Sequence, residues 1–221
     1  MPIFKQKTMQ RSDFKDWHLE EVEEVFGLVQ IEKSKALDGL LNYEYTIDAY
    51  EEKYLLHLQA LYLLGGDDWN EVELENKFIS PLIVFSGIDN KKFAYFLERE
   101  LNANIQDYEL FGRVDGMIAS GFRSPKKPYF CLQEYKRQTD PNGDPRGQCL
   151  IAMLAAQALN QDQQAIFGCY IIGKLWHFLV LQGKEYVLSP GFLCTNQEIF
   201  AIYKTFKGLR WYIEERRLEK E

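Results

Sequence analysis

Three side chains that could hold a metal ion and activate water lie close together in the sequence: Asp115, Glu134 and Lys136. Two neighbouring carboxylates repel each other and raise each other's pKa unless a cation lies between them. Hard oxygen ligands with open water positions suit magnesium. A nearby ammonium can orient a water molecule or stabilise an anionic transition state. These residue types therefore indicate metal-assisted hydrolysis.

The segments around these residues have the pattern of β-strands. In "PYFCLQEYKRQ", Phe130 and Leu132 begin a face that continues with Glu134 and Lys136, because alternate residues of a strand point to the same side. In "YELFGRVDGMIAS", Asp115 lies within a strand, where aspartate is disfavoured. If the two strands are neighbours, they bring two carboxylates and one ammonium into a single cluster.

A helix that precedes these strands carries further carboxylates. At about 100° per residue, Glu71 and Glu75 lie on its apolar face, whereas Glu73 points away. A buried carboxylate needs a partner, and a metal site beneath the helix would supply one. Two other interpretations remain open: Glu71 closes a capping box with Asp68, and Glu75 pairs with a basic residue. The predicted apolar face consists of Val72, Leu74, Phe78, Ile79, Leu82 and Ile83.

The order of predicted elements is helices, three strands, a helix, further strands and a C-terminal helix. The first third is helical in pattern, and its strongest helix, "IDAYEEKYLLHLQALYLLGG", has Thr46 as a candidate N-cap. The helix in "DPRGQCLIAMLAAQALN" has Asp144 at its N-cap and Pro145 at its first position. The last helix covers residues 197–217. This order predicts an α/β fold with helices packed on a mixed sheet.

The strand motif resembles the signature of the PD-(D/E)XK nuclease superfamily. Asp115, eighteen intervening residues and the Glu134-Tyr135-Lys136 triplet are similar to the family pattern D-x(n)-[D/E]-x-K. Val114 stands where the pattern has proline, a position that varies widely in the superfamily.

Two further segments carry the resemblance. "NEVELENKFISPLI" is similar to the first helix of many members, with Glu71 at the position of their glutamate. Gln148 resembles a polar residue that a subset of these nucleases carries at the start of the next helix. The resemblance covers roughly residues 68–181. It implies a restriction endonuclease-like domain over residues 68–221, preceded by a helical segment at residues 1–67.

The resemblance also implies an activity. A member of this superfamily would be a magnesium-dependent nuclease, with manganese able to substitute, that hydrolyses phosphodiester bonds, and we expect DNA as its substrate. Asp115, Glu134 and Glu71 would hold the metal. Lys136 would orient water or help to deprotonate it, and Gln148 would position the site.

Composition narrows the class of protein. The chain has 221 residues, a hydrophobic content of 46% and a net charge of −7, which argues against a protein that simply coats nucleic acid. The longest apolar runs are too short to cross a bilayer, so we expect no membrane association. The first ten residues have no stretch of signal-peptide length, and the four cysteines show no CxxC spacing. A zinc site is therefore disfavoured, and we expect a reducing cytoplasm.

Other functions fit part of the sequence. A catalytically silent module that keeps the nuclease fold for binding or assembly would suit the acidic balance, because tight DNA binding normally uses several Lys/Arg contacts. An enzyme acting on another phosphate ester has no specific motif behind it. The sequence leaves open whether the substrate is DNA or RNA, and whether residues 1–67 form a homodimer, bind a partner or cover the sheet.

Overall fold

The computed structural model describes residues 9–139 and 143–218. Its centre is a nine-stranded mixed sheet with helices on both faces. The strands are β1 Gln10–Asp13, β2 Val29–Gln30, β3 Phe93–Ile105, β4 Tyr108–Ser120, β5 Lys126–Lys136, β6 Ile166–Ile172, β7 Leu175–Gln182, β8 Glu185–Leu188 and β9 Phe192–Leu193. The predicted α/β class with a mixed sheet is confirmed.

The helices surround this sheet, and three of the predicted ones lie close to their expected bounds. They are α1 Leu19–Phe26, α2 Lys35–Leu41, α3 Ala49–Gly65, α4 Glu71–Leu74, α5 Ser80–Phe85, α6 Pro145–Asn160 and α7 Glu198–Tyr212. Two π-helical segments, Glu75–Ile79 and Ile213–Arg217, extend α4 and α7. No described helix is long and apolar enough to span a membrane.

The strand order brings the predicted site strands to the middle of the sheet. The order is β1-β4-β5-β6-β7-β8-β2, with β3 paired to β4 and β9 paired to β7. β4 and β5 are antiparallel, whereas β5 and β6 are parallel and are joined through α6. Parallel neighbours need such a crossover. Residues 147–156 of α6 are all buried, because the sheet lies beneath this helix and α1 packs against it.

The sequence predicted a helical N-terminal segment, but the described part of this segment also contains two strands. β1 pairs with β4 and β2 pairs with β8, so the segment adds a short parallel strand at two places in the sheet. Strands of four and two residues are too short to show an alternating pattern. The N-cap of α3 is Asp48 and not Thr46, since the Asp48 carboxylate accepts from the Tyr50 and Glu51 amides, each at 2.8 Å.

The helix from Glu71 to Phe85 also differs from its prediction. Its N-cap is Asn70, whose side-chain oxygen accepts from the Glu73 amide at 2.9 Å, so the capping box predicted for Asp68 and Glu71 is wrong. Val72 is 69% exposed and does not belong to the apolar face. The other residues of the predicted face are buried on both sides of the start of the π-helical segment: Leu74, Phe78, Ile79, Leu82 and Ile83.

Candidate functional site

Two neighbouring strands hold Asp115 and Glu134. Gly116 on β4 pairs with Gln133 on β5 in an antiparallel register, which places Asp115 and Glu134 side by side at the next position. The backbone amide of Tyr135 donates a hydrogen bond of 2.6 Å to Asp115 Oδ2. One aspartate oxygen is therefore fixed by the backbone of the adjacent strand.

Lys136 lies on the same face as Glu134 and forms an ion pair with it. Its Nζ is 2.6 Å from Glu134 Oε1, and the two side chains are 12% and 11% exposed, respectively. The cost of removing two charges from water offsets much of their attraction, so a buried pair is weak evidence for a stabilising role. Stability alone therefore does not account for the charges at this position.

The electrostatics of the cluster favour an added cation. Burial raises the pKa of Asp115 and of Glu134, and repulsion from Asp115 raises the pKa of Glu134 further, although Lys136 opposes both shifts. Burial lowers the pKa of Lys136, but the attraction of Glu134 outweighs it and the net shift is upward. When both carboxyls are ionised, a single ammonium does not balance them, and the cluster then carries excess negative charge.

Two glutamates of the helix Glu71–Phe85 interact electrostatically with the carboxylates of this cluster. Glu71 is exposed at the start of α4, so the prediction that it lies on the apolar face is wrong. Its charge still adds to the upward shifts in the pKa of Asp115 and Glu134. Glu75 is half-buried where the π-helical segment begins, and burial, Glu98 and Asp115 all raise its pKa. Glu75 is thus the more enclosed of the two carboxylates, and π segments are frequent at functional sites.

Gln148 is tied to the N-terminal segment. It is 6% exposed, and its Nε2 donates to the Lys15 carbonyl oxygen at 3.0 Å. Asp144 is the N-cap of α6, as predicted, and accepts from the Arg146 amide at 3.0 Å. It also accepts from the amide of Leu19, the first residue of α1, at 2.9 Å. The start of α6 is therefore held by contacts to the residues around α1.

The register extends the row of polar residues beyond Glu134. Glu134 pairs with Tyr170 on β6, and Tyr170 pairs with His177 on β7. The two rings are stacked, with centroids 4.6 Å apart and planes at 15°. Burial lowers the pKa of His177. A hydrogen bond with the Ser189 carbonyl raises this pKa, whereas the charge of Arg146 lowers it, and the net shift is downward. The sequence pointed to neither Tyr170 nor His177 as a neighbour of Glu134, because only the strand register reveals it.

The opposite face of the same strands carries an uncharged network. The Tyr95 and Tyr135 hydroxyls are 2.6 Å apart, and the Tyr135 hydroxyl donates to the side-chain oxygen of Gln133. Gly116 leaves the space for this network, because a Cβ there would overlap the Tyr135 hydroxyl and the Gln133 amide. The absence of a side chain at residue 116 thus makes room for this network on the face of β4 opposite to Asp115.

Metal-ligand sets of other kinds are missing from the part of the chain that the structure describes. Residues 9–139 and 143–218 contain no group of three or more His, Cys, Asp or Glu side chains placed to hold an ion. Cys131, Cys149, Cys169 and Cys194 are buried free thiols. A site for an ion in this region would thus rely on Asp115 and Glu134, completed by water or substrate.

The sequence was compared with protein-family models and with curated proteins. No family model matches the chain, and no curated protein matches it at a significant level.

Proposed function

We propose that the chain is a metal-dependent nuclease with a restriction endonuclease-like fold of the PD-(D/E)XK type, and that it hydrolyses phosphodiester bonds of DNA. The observation that carries the proposal is the buried Glu134–Lys136 pair beside Asp115 on adjacent central strands. The succession of three antiparallel strands, a crossover helix and a parallel strand supports the fold assignment.

The donor set fits a magnesium ion. Asp115 and Glu134 would hold it, since magnesium is commonly bound through one or two carboxylates with water and substrate phosphates in the remaining positions. A set of only two protein carboxylates is therefore sufficient. When bound, the ion would supply Lewis-acid polarisation of a phosphoryl oxygen and a more acidic water molecule.

The protein's own groups would orient the reaction. The Tyr135 amide fixes one oxygen of Asp115, which leaves the other free to face the reacting groups. Lys136 is held at the cluster by Glu134 and is kept protonated by it, so it would act as a cation that orients water and stabilises the anionic transition state. Glu71 would support water at the exposed side, and Gln148 would position α6.

The structure also offers an observation in favour of a catalytically silent binding module. Lys136 already neutralises Glu134, and the amide nitrogen of Gln148 is already bound to a backbone carbonyl. These contacts would persist without substrate turnover. A nuclease would need a bound metal ion to cleave nucleic acid, whereas a silent module would cleave none with or without the ion. Cleavage assays can measure this difference.

The test is cleavage of single-stranded DNA, double-stranded DNA and RNA with and without Mg²⁺ or Mn²⁺. We expect metal-dependent cleavage by the wild type, with DNA as the preferred substrate, and a loss of about a hundredfold or more in Lys136→Ala. Lys174→Ala is the matched control, because Lys174 forms an exposed ion pair with Asp67. Failure to cleave any of the three nucleic acids, in a protein that remains folded, would favour the silent module.

A further inference from the structure

A basic groove lies at the other end of the sheet from Asp115 and Glu134. Two adjoining cavities of about 420 and 460 Å³ share Gln164 and Arg216 and open where β5 and β6 begin. Lys127, in the groove, and Glu134 are seven positions apart on β5, a distance of about 23 Å along the strand. The charged side chains that line the groove are Lys35, Lys127, Arg216, Arg217 and Asp162.

Among the residues that the structure describes, the lining of the groove carries more positive than negative charge. Arg217 is buried and forms an ion pair of 2.6 Å with Asp162, so these two charges cancel. Lys35, Lys127 and Arg216 are exposed, and none of them forms a salt bridge to another residue within the part of the chain that the structure describes. Because the whole chain has a net charge of −7, three cations in one groove with no salt bridge to any described residue differ from the average of the chain.

The groove also presents an aromatic ring. Trp211 is 41% exposed, whereas the other three tryptophans, Trp17, Trp69 and Trp176, are buried. The Arg216 guanidinium lies 5.8 Å from the Trp211 ring centroid. The Tyr43 ring supports the indole at 5.9 Å with an interplanar angle of 32°. The indole is therefore held in place beside a cation while part of it remains open to solvent.

We propose that the basic groove is a binding site for single-stranded nucleic acid, in which Lys35, Lys127 and Arg216 contact phosphates and Trp211 stacks on a base. Proteins that bind single strands combine cations along the backbone with aromatic rings under the bases. A duplex keeps its bases stacked inside the helix, so it would leave the indole unused. An acidic peptide would match the cations but would also make no use of the ring.

The size of the groove agrees with this ligand. Each cavity falls in the range of about 300–1,000 Å³ that is common for small-molecule sites, so each can accept one nucleotide unit. Because the two cavities adjoin, a short strand can occupy both. The site does not depend on the cluster at Asp115, and the proposal stands or falls separately from the nuclease activity.

The test is binding of a fluorescent oligothymidylate of about 12 nucleotides to the full chain in EDTA, measured by anisotropy and by quenching of tryptophan fluorescence. Loss of one stacked base predicts a weakening of about tenfold in Trp211→Ala, and Trp211→Phe should restore most of the affinity. Arg216→Ala should reduce the slope of log affinity against log salt by about 0.7, because one phosphate contact is lost. Tyr50→Ala and Lys53→Ala alter exposed residues of α3 and serve as controls.

Three results would overturn the proposal. The first is no binding in a chain whose thermal melt shows that it is folded. The second is equal affinity for duplex DNA with no effect of Trp211→Ala. The third is displacement of the oligonucleotide by poly-glutamate at an equal concentration of charges, which would assign the groove to acidic peptides. Because EDTA prevents metal-dependent cleavage, none of these results bears on the proposed nuclease activity.

Discussion

At the scale of single residues, the central feature is an imbalance of charge. Asp115 and Glu134 are neighbours on β4 and β5, and only Lys136 compensates them from the same two strands. Burial favours the protonated forms of both carboxyls, so their pKa values are raised. This arrangement is unfavourable for folding at neutral pH, and a bound divalent cation would relieve it.

The raised pKa values predict how stability depends on pH. A carboxyl whose pKa is higher in the folded state binds more protons when folded, so the free energy of unfolding falls as pH rises from about 4, the ordinary carboxyl pKa, through neutrality. We expect Asp115→Asn to reduce this slope and to raise the metal-free stability above neutral pH. Urea unfolding in EDTA between about pH 4.5 and pH 8.5 measures both the slope and the metal-free stability.

Asp38→Asn is the matched control for this experiment, because Asp38 is an exposed carboxylate on α2. Its slope should equal that of the wild type. If Asp115→Asn leaves the slope unchanged as well, the carboxyl of Asp115 is not held in an unfavourable environment, and the argument for a missing cation loses its basis.

At the scale of elements, the β4–β5 pair positions the cluster, and Gly116 makes room for the side-chain network on the opposite face of this pair. A methyl group there would overlap the Tyr135 hydroxyl and the Gln133 amide on the opposite face from Asp115. Overpacking of this kind costs about 1–3 kcal/mol. We therefore expect Gly116→Ala to lower the free energy of unfolding by about 2 kcal/mol in urea denaturation.

Gly39→Ala provides the comparison, since a Cβ at Gly39 on α2 meets no atom within 4 Å. Alanine in a helix should be neutral or should stabilise by about 0.5–1 kcal/mol. Equal effects of the two substitutions would show that the network of Tyr95, Tyr135 and Gln133 tolerates a side chain at residue 116.

Another element-scale prediction concerns Glu51, which joins α3 to α7. Its carboxylate accepts from the Tyr45 and Tyr203 hydroxyls at 2.7 and 2.8 Å and lies 3.0 Å from Lys207 Nζ. Burial raises its pKa, but these contacts outweigh burial and lower the pKa to about 2. The stabilisation is therefore complete above the ordinary pKa and is lost as pH falls towards 2.

We expect Glu51→Gln to cost roughly 2 kcal/mol near pH 7 and much less near pH 3. Urea unfolding at both pH values measures the difference. Glu52→Gln, which changes the exposed neighbour on α3, should have little effect at either pH. A cost for Glu51→Gln that does not shrink in acid would show that packing, and not the carboxylate charge, is what residue 51 contributes.

The elements also show what the sequence could and could not predict. Strand alternation is local, so the common face of Glu134 and Lys136 could be read from the sequence. The apolar period also predicted the buried residues from Leu74 to Ile83, but it could not show that the first turn, with Glu71 and Val72, lies outside the packed part of the helix. Tyr170 and His177 lie far from Glu134 in the sequence, and only the register of β5, β6 and β7 makes them neighbours.

At the scale of the whole molecule, the two proposed sites lie at opposite ends of β5. The carboxylate cluster is at the end near Lys136, and the basic groove is at the end near Lys127. The N-terminal segment contributes strands to the same sheet through β1 and β2, and α1 packs on α6. Residues 9–67 therefore belong to the same packed structure as the cluster, and Gln148 links them to it through Lys15.

The measurement that tests the central claim most directly is a calorimetric titration of the metal-free protein with Mn²⁺, because it requires no knowledge of the substrate. The account predicts one Mn²⁺ bound per chain, loss of binding in Asp115→Asn, and binding at least as tight in Lys136→Ala, since a nearby positive charge is gone. If the wild type binds no Mn²⁺, or if Asp115→Asn binds it as tightly as the wild type, the cluster of Asp115 and Glu134 is not a metal site.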